Sequence, residues 1–164
     1  MKILPFAVLF FIACLTLTVP AQCTKTSKEL PSLRGIKLDM PLSEVEKLHQ
    51  IAKKPSETSA ILIAFISFDD AEYTLHFRNN KVIAIYVSYE ERFPDIQTFR
   101  QTVSTQLSLP DFWEEEKQET LYGALKPTGN WIYKCSDFSI QIAVIKDNAY
   151  FRLEKNREVK PFRL

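Results

Sequence analysis

The sequence predicts an α+β fold: two helix–strand–strand–strand repeats, with the helices packed on one face of a mostly antiparallel sheet. Three observations point there. Apolar residues recur at helical spacing directly after two prolines, Pro41 and Pro94. The segments that follow alternate apolar and polar residues with period two. Two turn signals, Asn79-Asn80 and Asp147-Asn148, fall at matching places in the two halves. The repeats run over about 35–90 and 91–154, within a single domain of residues 35–154. Residues 22–34 read as an extended polar lead-in, and residues 155–164 as a polar tail that frays.

In the first repeat, Pro41 suits a first helical position, and Ser43 with Glu46 offers an alternative capping box. Leu42, Val45, Leu48, Ile51 and Ala52 form one stripe, closed by Lys53-Lys54-Pro55. Ile61 to Phe68 is apolar almost throughout, as in a strand buried on both faces. Asp69-Asp70 turns the chain. Tyr73, Leu75 and Phe77 then alternate with Thr74, His76 and Arg78. Asn79-Asn80 makes a two-residue hairpin turn, because asparagine tolerates positive φ. The return strand, Val82 to Tyr89, sets Ile83, Ile85 and Val87 against Ala84, Tyr86 and Ser88.

The second repeat opens at Pro94, with Ile96, Phe99, Val103 and Leu107 on one helical face and Pro110 as the stop. Residues 111–119 read as a solvated loop anchored by Trp113. Thr120 to Leu125 reads as a short strand, and 126–130 as a turn. Three alternating segments follow, carrying Trp131, Tyr133 and Cys135, then Phe138, Ile140, Ile142 and Val144, then Phe151 and Leu153.

The first 21 residues have the build of a cleaved secretory leader. Lys2 supplies the positive start, Ile3 to Val19 the apolar run, and Val19-Pro20-Ala21 the small residues at the cut. Pro20 ends the run short of the ~20 apolar residues that a membrane span needs. Lipidation at Cys14 or Cys23 is the alternative. It fits less well, because Leu15 to Val19 stays apolar and Gln22 precedes Cys23. Cleavage leaves 143 residues, enough for one core. It also leaves 20 basic and 20 acidic residues, a balance with no electrostatic pull toward nucleic acid or an anionic membrane. The expected location is the periplasm or the extracellular space.

Of the three cysteines only Cys23 and Cys135 survive cleavage, and an exported pair is expected to bond. Closing a loop of over 100 residues would contribute ~4.7 kcal/mol on chain-entropy arithmetic. A redox role would want a Cys-x-x-Cys, which is absent. Hydrolase chemistry would want a Gly-x-Ser-x-Gly, also absent, and Gly35, Gly123 and Gly129 cannot build a phosphate loop. His49 and His76 stand alone, so no metal or cofactor is expected. Asp69-Asp70 and Glu114-Glu115-Glu116 lack the spacing of a calcium loop.

Leu33-Arg34-Gly35-Ile36-Lys37-Leu38-Asp39-Met40, followed by Val45, resembles the Leu-Gly-Met-Thr-x-x-x-Val opening of small exported bacterial proteins. That opening is shared by outer-membrane lipoproteins of the barrel-assembly machinery and by domains resembling the β-lactamase-inhibitor protein. With Leu107-Ser108-Leu109-Pro110 before Trp113, the chain is similar to an uncharacterised family of such proteins. Asp39 stands where that opening has glycine. The resemblance implies helices packed on an antiparallel sheet and a module that binds other proteins, and it supplies no catalytic residue.

Outward positions of the alternating strands are the candidate binding residues: His76, Arg78, Tyr86, Gln141, Tyr150 and Arg152. Antiparallel sheets can leave one face open, and tyrosine and arginine are enriched at binding hot spots. The expected function is therefore a non-enzymatic protein-binding or inhibitor-like module with a protein partner. The alternative is a small exported enzyme whose site leaves no mark in the sequence.

Overall fold

The computed structural model describes residues 23–55, 61–119 and 124–156. The expected leader, Thr120 to Gly123 of the expected short strand, and most of the tail lie outside the described residues. Strand β1 is Ala52–Pro55, β2 Ile61–Ser67, β3 Ala71–Arg78 and β4 Lys81–Arg92. Strand β5 is Glu114–Glu119, β6 Leu125–Lys134, β7 Phe138–Ile145 and β8 Asn148–Lys155. All eight pair antiparallel in one sheet of order β1-β2-β3-β4-β8-β7-β6-β5. The helices are α1, Leu42–Leu48, and α2, Ile96–Gln106.

This overturns the expected α+β class of two helix–strand–strand–strand repeats. Helix accounts for 17 % of the described residues and strand for 54 %, so the fold is mainly β. Three misread segments explain the difference. The chain leaves α1 at His49 and pairs Ala52 with Phe65, so the end of the expected helical stripe becomes β1. Backbone pairing there satisfies groups of β2 that a longer helix would leave open. The expected solvated loop at 111–119 contains β5. The expected turn at 126–130 is extended chain inside β6, which Gly129 passes with φ +79.

The β3–β4 hairpin turns at Asn79 and Asn80 as expected, with φ 51 and 58. Arg78 faces Lys81 and Phe77 faces Val82, but His76 faces Ala84. Ile83 is thus the extra residue of a β-bulge. Val82, fully buried, takes the inward place expected for Ile83. The second turn sits one residue earlier than expected, at Lys146 and Asp147, both at positive φ.

One face of the sheet carries the core. Ala64, Leu75, Ile85, Leu153, Ile140 and Tyr133 form a continuous cross-strand row, and none exceeds 2 % exposure. Val45 of α1 and Phe99 and Val103 of α2 join the same cluster. Asp95 caps α2 by accepting from the Thr98 amide at 2.8 Å, so Pro94 precedes the cap rather than opening the helix.

The lead-in is not extended. Ser27–Glu29 is a short 3-10 turn, and Ser27 is buried with its amide and hydroxyl both donating to the Asp137 carboxylate. The Cys23–Cys135 disulfide, with Cα atoms 4.9 Å apart, fixes the start of this segment. Lys25 donates to the Leu107 and Ser108 carbonyls at the end of α2. Asp39 takes a left-handed conformation (φ 62), and its carboxylate holds Lys155 Nζ at 2.7 Å. Lys155 therefore ends β8 instead of starting a free tail.

Candidate binding face

Because strand side chains alternate, the residues between the core positions crowd onto the opposite face. The pairing register places them without ambiguity. Phe65, Thr74, Tyr86, Arg152, Gln141 and Ile132 lie in one row across the sheet. Ile63, His76, Ala84, Glu154 and Ser139 form the next row, and Ser88 pairs with Tyr150 on the other side. Arg78 completes the outer face of β3 at the hairpin end. All six sequence-proposed residues thus sit on one face of four adjoining strands, β3, β4, β8 and β7.

Tyr86 is the hub. The His76 ring lies 4.7 Å from it and the Arg152 guanidinium 5.2 Å over it, a cation–π contact. Glu154 pairs with Arg152 from two residues along β8. Arg152 Nε is buried and has no hydrogen-bond partner among the described residues. Burial first, then the Arg152 charge, hold the His76 imidazole below its usual pKa, with Glu154 opposing in part. His76 is therefore neutral near pH 7.

Two adjoining depressions share Tyr86 and Arg152. A cleft of about 280 Å³ runs past Ser88, Tyr150 and Gln141, where Ala143 leaves room. A hollow of about 1000 Å³ opens past His76, Arg78 and Glu154 over the small side chain of Ala84. Its rim includes Asp39, Lys81 and Lys155. Small residues set among large ones create both depressions.

Sequence reasoning missed Glu154, Lys81, Asp39 and Lys155. Alternation from Arg152 could have found Glu154. The Asp39–Lys155 pair spans 116 positions and leaves no local signal. Phe65, expected to be buried on both faces, is 42 % exposed at the edge of this surface. Glu116, at an irregularity in β5, braces the far side by accepting from Asn130 Nδ2 at 2.9 Å and Gln141 Nε2 at 3.3 Å.

Among the described residues, no serine, threonine or cysteine lines the hollow beside His76. None of the described histidines, cysteines or acids group in threes around a metal position. No described helix is long and apolar enough to cross a membrane. Comparison with protein-family models, curated proteins and solved structures returns no match for this chain.

Proposed function

We propose that this chain is an exported, non-enzymatic module that binds another protein through the outer face of its sheet. One observation carries the reading: Tyr86 is held between His76 and Arg152 at the junction of two open depressions. A pre-positioned aromatic ring flanked by a guanidinium is the kind of anchor that dominates protein interfaces, because little freedom is lost when it docks. Export rests on the leader-like residues 1–21 and on the disulfide, which an oxidising compartment preserves. The opening at 33–40, with its resemblance to exported binding proteins, points the same way.

Capture from the native cell envelope tests it with single variants. Tyr86→Ala and Arg152→Ala should each weaken recovery of the partner about tenfold or more, while the melting temperature moves little. Full recovery with both variants would show that this face is not the binding surface, and unfolding by both would make these residues structural instead.

A further inference from the structure

We infer that the larger hollow receives an acidic protein segment, one presenting a carboxylate beside an apolar side chain. This rests on the binding-face reading above and names the chemistry of its partner. The mature chain is charge-balanced, yet the hollow is not. Arg78, Lys81, Arg152 and Lys155 line it against two acids, Asp39 and Glu154. Both acids are committed, Asp39 to Lys155 and Glu154 to Arg152. Arg78 and Lys81 remain without an ion pair among the described residues. They also stand directly opposite each other beside the Asn79-Asn80 turn. Like charges in that position repel, and a carboxylate between them would relieve the repulsion.

Ile61, Ile83, Ala84 and Tyr86 line the same hollow and suit an apolar neighbour of that carboxylate. A dense polyanion such as nucleic acid is disfavoured, because Asp39 and Glu154 would face it. His76 adds a pH dependence. It is faced by Arg152 and Glu154 from β8, by Tyr86 and Ala84 from β4, and by Ile63 from β2, with Arg78 next on its own face of β3. An anion arriving there favours the protonated imidazole, so binding should take up a proton.

Fluorescence anisotropy on the full mature protein, disulfide intact, tests this. The probes are labelled Ala-Glu-Phe-Glu-Ala, its lysine counterpart Ala-Lys-Phe-Lys-Ala, and a single-stranded DNA oligonucleotide. The acidic peptide should bind about tenfold or more tightly than the basic one, and more tightly from about pH 7.5 to about pH 5.5. His76→Asn should flatten that pH trend. Arg78→Ala combined with Lys81→Ala should cost about tenfold in affinity without lowering the melting temperature. Should that double variant misfold, added salt is the second measure: it must weaken the acidic complex. Equal binding of the two peptides, no binding of the acidic one, salt-independent affinity, or tighter binding of the oligonucleotide would overturn the inference. If the acidic peptide fails while Tyr86→Ala still abolishes capture of the native partner, only the partner chemistry is wrong. If Tyr86→Ala is also without effect, the face itself is not the binding surface.

Discussion

Tyr133 and His76 show how much a single side chain's surroundings decide. Tyr133 is fully buried against the edge of Trp113, and its hydroxyl has no partner among the described residues. Burial holds its pKa above the usual tyrosine value. An unpaired buried hydroxyl costs about 1–3 kcal/mol, so Tyr133→Phe should leave stability unchanged or raise it by up to about 1 kcal/mol. Urea unfolding reads this directly, and a clear loss would mean the hydroxyl is bonded. For His76 the depressed pKa sets the sign of a pH effect. Above the ordinary histidine value of about 6.5 the imidazole is neutral in both states, and its contribution is fully present. As pH falls below that value the unfolded chain takes the proton first, and stability is lost down through the folded pKa. His76→Asn should flatten this part of the melting profile between about pH 7 and pH 5. An unaltered slope would show that other groups carry it. Alternation made the outward set at 76, 78, 86, 141, 150 and 152 legible in the sequence. It misplaced Ile83, because a bulge changes the count by one residue and leaves no mark in composition.

At the scale of elements, legibility followed amphipathicity. Strands β3, β7 and β8 have one wet and one dry face, so period two exposes them. Strand β5, Glu-Glu-Glu-Lys-Gln-Glu, is a sheet edge whose side chains are mostly exposed, and no hydrophobic period could reveal it. Its charge is what an edge strand needs to resist further pairing. Strand β1 was hidden differently, since Ile51 and Ala52 continue a helical spacing that sheet pairing overrides. The hairpin at Asn79-Asn80 was readable because its chemistry is local. A type I′ turn favours glycine at its second central position, and the relief of a positive φ outweighs the extra freedom of the unfolded chain, so Asn80→Gly should keep or slightly raise the melting temperature. Asn80→Val should lower the melting temperature. The disulfide staples residues 112 positions apart, and Cys23→Ser with Cys135→Ser should cost about 2–5 kcal/mol. Lys25 and the Ser27–Asp137 contact should still hold the lead-in, so the loss should come without global unfolding at room temperature.

At the scale of the whole molecule, the sheet is a wall with two unlike sides. The helices and the core fill one side. The other is a row of aromatic and charged groups, with Tyr86 and Arg152 at its centre. The balance of strand to helix was not legible, because β5 and the start of β6 lack a period and the residues leading into β1 carry a helical one. The choice of open face was legible, because every inward position between its residues is apolar. The central claim is that a partner docks on that face. Site-specific photo-crosslinking in the native cell envelope tests it most directly. A benzophenone amino acid replaces Phe65 or Tyr150 on the open face, or Gln101 on the exposed side of α2. The same discrete adduct is expected from positions 65 and 150 and none from 101. Adducts from 101 alone, or none from either face position, would contradict it.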